Sequence, residues 1–102
     1  MRLSSYLLQV LGFKRSSFWT VKFTGTFKRG YKKLSEEVKQ RVETAIRTLL
    51  SSEDPRRKGH RLHGPWEGCH SYEIGLKYRL IYRAEFERKE ITFLAVSTHK
   101  IY

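Results

Sequence analysis

Hydrophobic residues follow two rhythms along this chain, and the switch between them outlines a fold. In "FWTVKFT", residues 18–24, Trp19, Val21 and Phe23 alternate with Thr20, Lys22 and Thr24. Successive side chains of an extended chain point to opposite faces, so this period of two predicts a half-buried strand. The spacing then lengthens. In "TGTFKRGYKKL", Phe27, Tyr31 and Leu34 fall at i, i+4 and i+7, which aligns them on one side of a helix that Thr26 can cap. "SEEVKQRVETAIRTLLSSEDP" gives the longest helix, with Val38, Val42, Ile46 and Leu49 on one stripe. Ser35 is placed as its cap, Glu36 and Glu37 suit its positive first turn, and Asp54-Pro55 stops it.

Beyond that helix the short period returns. "CHSYEIG" sets Tyr72 and Ile74 on one face, and "KYRLIYR" sets Tyr78, Leu80 and Tyr82 opposite Lys77, Arg79, Ile81 and Arg83. "EITFLAVS" is an apolar, β-branched run, and the charged residues 84–90 read as the hairpin connection before it. At the start of the chain, Leu3, Tyr6, Leu7, Val10 and Leu11 recur at helical spacing before Gly12, predicting a short helical extension over residues 1–17. The order is helix, strand, two helices and three strands. That pattern predicts an α+β domain with its helices on one face of an antiparallel sheet.

Composition narrows the class. A chain of 102 residues supports one hydrophobic core, and neither a repeat nor a linker divides it, so residues 1–102 read as a single domain. Lys and Arg number 21 against 10 Asp and Glu, a net charge of +11, which favours a polyanionic partner and nucleic acid first. The one cysteine, Cys69, excludes an internal disulfide and reads as a small filler. No apolar run approaches the ~20 residues of a membrane span, and the opening segment lacks a small-residue cleavage site, so a cytoplasmic protein with no membrane partner is expected. The basic helix face of Lys28, Arg29, Lys32 and Lys33 places like charges four apart, which works against helix stability and is explained either by a partner or by simple solvation.

The chemistry concentrates in "KGHRLHGPWEGCHSYEI", residues 58–74, which holds His60, His63 and His70. Zinc is disfavoured, because Gly59, Gly64 and Pro65 oppose the helix that would align His60 with His63, and neither a cysteine pair nor HExxH is present. Neither a Gly-x-Ser-x-Gly elbow nor a glycine-rich phosphate loop occurs, so nothing seats a serine nucleophile, ATP or NAD, and no cofactor is expected. Metal-free cleavage of RNA fits the residue types. RNA brings its own nucleophile, the 2′-hydroxyl, so a protein needs only a base, an acid and a cation for the crowded phosphate. Imidazoles titrate near neutrality and guanidinium stays charged. The rival for each histidine is a solvated bystander, and for Arg79 an edge charge.

A resemblance shifts that balance. "WTVKFTGTFKRGYKKLSEEVKQRV", "HRLHGPWEG", "KYRLIYR" and "FLAVSTHKIY" occur in the order and spacing of the RelE/ParE toxin superfamily of type II toxin–antitoxin pairs, and the likeness covers residues 18–102. It implies the RelE-like fold, N-terminal helices packed on a twisted antiparallel four-stranded sheet. The Leu-x-Gly-x-Trp-x-Gly run and the late histidine resemble the YafQ and YoeB ribosome-dependent mRNA endonucleases most. By that resemblance His60 is the base, Arg79 the phosphate-binding arginine and His99 the acid, while Tyr102 supplies a terminal aromatic contact. Lys58, Arg61 and His63 would position the strand, and Lys28, Arg29, Lys32 and Lys33 would meet ribosomal RNA. The second histidine of the YafQ pattern falls on Glu73 and its aspartate on Lys77. The implied partners are the ribosome, mRNA and an acidic, partly disordered antitoxin. The alternative is a non-catalytic, ParE-like gyrase inhibitor or a basic nucleic-acid-binding module.

Overall fold

The structure, a computed structural model, describes residues 19–98. The expected N-terminal helix, His99 and Tyr102 lie outside the described residues. Strand β1 (Thr20–Phe23) leads into helices α1 (Gly25–Lys32) and α2 (Glu36–Leu50). A single 3₁₀ turn, Pro55–Lys58, connects to strand β2 (His60–Arg61), and a second, Gly64–Trp66, precedes strands β3 (His70–Ile74), β4 (Tyr78–Glu85) and β5 (Glu90–Thr98). The sheet order is β1-β5-β4-β3-β2.

The α+β architecture is as the two rhythms predict, with two differences in the sheet. It has five strands instead of four, because His60 and Arg61 pair with Ser71 and His70, a ladder too short to leave a periodic signal. It is also not wholly antiparallel, since β1 runs parallel to β5. Alternation specifies which face a strand buries, not its direction; the direction of β5 is set by the two hairpins before it, and β1 docks alongside.

Local chemistry explains most boundaries. Ser35 caps α2 as expected, its Oγ accepting from Val38 N at 3.2 Å. The cap of α1 is Thr24 and not Thr26: Thr24 Oγ1 accepts from Phe27 N at 3.1 Å and donates to the Leu94 carbonyl at 2.8 Å. That second bond ties the helix start to β5, a preference invisible in sequence. The β4–β5 connection is shorter than residues 84–90, because Ala84 and Glu85 still pair with Ile91 and Glu90.

The core lies between the helices and one sheet face. Val42, Ile46 and Leu49 of α2 are fully buried with Phe27, Leu80, Tyr82, Ile91 and Phe93. A bulge keeps β5 in phase with this core: Ile81 pairs with Ala95 but Tyr82 with Phe93, so Leu94 is the extra residue. Phe93 and Val96, three apart in sequence, consequently both join the helix-side core. On the other face a small cluster of Cys69, Ile81 and Ala95 is packed by Leu62, Trp66 and Leu94. Trp66 thus acts as a plug over a patch that the helices leave uncovered.

Candidate functional site

The histidine-bearing segment is held from below. Asp54 Oδ1 accepts from Arg56 N at 3.2 Å and Arg56 Nε at 3.0 Å, starting the turn that carries the chain from α2 to the sheet. Tyr82, fully buried, donates its hydroxyl to the Pro55 carbonyl at 2.6 Å. Gly59 then passes so close to the sheet that a Cβ there would lie 2.6 Å from Tyr82 Oη and 2.7 Å from the Ser71 carbonyl. Only glycine fits without displacement. Replacing Gly59 by Ala should therefore cost about 1–3 kcal/mol, the usual range for overpacking, read as a shifted denaturation midpoint.

Register decides which groups share a face. His60 pairs with Ser71, and Ser71 with Ile81; cross-strand partners lie on the same side of a sheet, so His60 belongs to the helix-free face. Arg79, two residues from Ile81 on β4, belongs to it too. Two strand spacings across and two residues along separate the two Cα atoms by about 12 Å. Arg79 sits between Glu73 on β3 and Ser97 on β5, and its Nη2 lies 3.4 Å from Glu73 Oε2. His60 is exposed, and the Arg79 side chain is 25% exposed.

The other expected residues are distributed differently. Lys58 ends the 3₁₀ turn and His63 precedes the next; both are exposed near His60 in the chain. Arg61 pairs with His70 and so takes the opposite face from His60. Lys28, Arg29, Lys32 and Lys33 belong to α1 and its C-cap, on the helix side of the sheet. They are not gathered with His60 and Arg79. Sequence reasoning gave Glu73 no role, although its pairing with Arg79 follows from closing the hairpin at Gly75, whose φ of 67° marks the turn. Among the described residues no group of three or more His, Cys, Asp or Glu side chains converges as a metal site.

His70 belongs to the support, not to the open face. Its ring stacks on Tyr82 at 5.8 Å, and its Nδ1 is buried with no hydrogen-bond partner among the described residues. Burial first, then the charges of Arg56 and Arg61, holds its imidazole below the ordinary histidine range against the opposing pull of Asp54. The folded chain thus resists a proton that the unfolded chain accepts near pH ~6.5, so stability is complete above that value and is lost on acidification. A fall in Tm between about pH 7 and pH 5, flattened in His70→Gln, is the expected result.

The chain from residue 19 to 101 matches the family model described as "Bacterial toxin of type II toxin-antitoxin system, YafQ". The chain belongs to the YafQ toxin family. Solved structures agree in fold. A chain of the RelBE2 toxin–antitoxin complex from Mycobacterium tuberculosis is 29% identical, with a TM-score of 0.60 over 81% of this chain and 100% of its own. E. coli YafQ is 19% identical, with a TM-score of 0.65 over 79% of this chain and 93% of its own. A chain of the intact E. coli RelBE complex is 18% identical, with a TM-score of 0.67 over 82% and 99%. No curated protein sequence matches. No helix among the described residues is long and apolar enough to cross a membrane.

Proposed function

We propose that this YafQ-family toxin is a ribosome-dependent mRNA endonuclease that cleaves by 2′-hydroxyl attack without a metal, leaving a 2′,3′-cyclic phosphate or a 3′-phosphate. The observation that carries the reading is the sheet register, which sets His60 and Arg79 on one common face with their Cα atoms about 12 Å apart. His60 takes the 2′-hydroxyl proton. Arg79 forks around the equatorial oxygens of the pentavalent phosphate, where negative charge builds up. His99 protonates the departing 5′-oxygen; it follows by two residues Ser97, the β5 partner of Arg79. Lys58 and His63 guide the strand, and Tyr102 adds an aromatic contact.

Before RNA arrives, Glu73 occupies Arg79. A substrate phosphate competes with that carboxylate, so the guanidinium stays oriented without being trapped in a buried pair. The partners are translating ribosomes, message and a cognate acidic antitoxin that would neutralise part of the +11 surface. The test is incubation with translating ribosomes and mapping of message ends. New 5′-hydroxyl ends are expected with the wild type, and the double variant His60→Ala, His99→Ala should lose at least about 10²-fold in cleavage rate with little change in ribosome binding. Intact message at saturating toxin, together with inhibited gyrase supercoiling, would favour the non-catalytic alternative.

A further inference from the structure

The helix side of the sheet ends in a second opening. Between α1 and the ends of β4 and β5 lies a groove of about 440 Å³, in the range of ligand clefts. Arg29 and Lys33 form its rim, Leu34 and Val96 its apolar wall, and Tyr78 presents an aromatic side chain. Ser97 also lines it. Arg29 and Lys33 stand four apart, an arrangement that disfavours an isolated helix. α1 has no acidic residue, and neither cation forms an ion pair with another described residue, whereas Lys39, Arg41, Arg56 and Arg88 all do. The position at the C-terminal end of α1 and one hydrogen bond from Arg29 Nη2 to Thr26 Oγ1 at 3.4 Å ease this repulsion, but no carboxylate among the described residues neutralises either cation.

We propose that this groove is a nucleotide subsite for the RNA strand flanking the cut, with Arg29 and Lys33 on its phosphate and Tyr78 stacked against its base. The inference rests on the endonuclease reading for its place along the substrate. Ser97 links the two sites: it lines the groove and pairs with Arg79, so a strand leaving Arg79 need only round the end of the sheet. An aromatic side chain beside a basic rim suits a nucleotide, which carries a π-face and a phosphate together. An acidic peptide would use the rim and leave the ring without a function.

The experiment measures binding of single-stranded RNA bearing 2′-O-methyl groups throughout, which cannot be cut by 2′-hydroxyl attack, by fluorescence anisotropy over a salt series. Arg29→Glu with Lys33→Glu is compared with Lys28→Glu with Lys32→Glu, an equal charge change on the same helix outside the groove. The groove variant should weaken binding at least about tenfold and flatten the slope of log K against log salt by about 0.7, one single-strand phosphate contact. The control should show less than half of either effect. Tyr78→Leu, which keeps an apolar side chain against the core, should weaken binding at least about fivefold and leave the salt slope unchanged. Equal losses in both charge variants, or none in either, would overturn the subsite. So would a groove variant that loses a glutamate-rich peptide but retains RNA. If wild type binds this RNA through the groove yet never cuts message, the subsite stands and the endonuclease reading falls.

Discussion

On the proposed endonuclease reading, Arg79→Lys should lower the single-turnover rate of message cleavage by about 10²–10³-fold, the usual consequence of removing one donor aimed at developing oxyanion charge. The substitution keeps the positive charge and the contact with Glu73 but loses the planar fork that spans two phosphate oxygens. Folding should scarcely change. The Arg79–Glu73 pair is partly exposed, at 25% and 40%, so its contribution to stability is at most about 1 kcal/mol. Binding to ribosomes should stay within a few-fold of wild type, because the other cations are untouched. A rate loss with retained Tm and retained binding identifies Arg79 as a group that touches the reacting phosphate. Wild-type cleavage by Arg79→Lys would remove it from that role.

Phe93→Ala is expected to cost about 3–5 kcal/mol, a large share of the ~5–15 kcal/mol that holds a typical domain together. Phe93 is fully buried at the centre of an aromatic cluster. Its ring lies 5.6 Å from Phe23, 6.2 Å from Phe27 and 6.3 Å from Tyr82, joining β1, α1 and β4 through one side chain of β5. Truncation leaves a cavity that four elements share, and none can close it without moving the rest. Urea denaturation should show a lower midpoint. The segment leading to His60 should loosen as well, because the Tyr82 hydroxyl holds Pro55. A loss under 1 kcal/mol would mean that the aromatic cluster relaxes freely.

Some of this was legible in residues alone, and the physical reasons are specific. Periodicity records burial, so Trp19, Val21 and Phe23 announced a strand, and Val42, Ile46 and Leu49 a helix packed on the sheet. Ser35 was readable as a cap because its partner, Val38 N, is three residues away. Thr24 was not, since what selects it over Thr26 is a carbonyl on a strand 70 residues later. The motif runs placed the chain with the type II toxins, as the family match bears out, and singled out His60 and Arg79 as candidates.

Residue types, local spacing and net charge determined the α+β class, the basic character and the identity of the candidate groups, because all of these act within a few residues or not at a distance. Which of those groups meet was decided only in three dimensions. The two-residue ladder of His60 and Arg61 turns one side chain toward Arg79 and the other away, and a shift of one residue would reverse them. Glu73 came beside Arg79 through hairpin register, and Arg29 with Lys33 came to rim a groove beside Tyr78 through the docking of α1 on β5. Pairing register and helix docking are set by the whole core at once, and so no short stretch of sequence carries them.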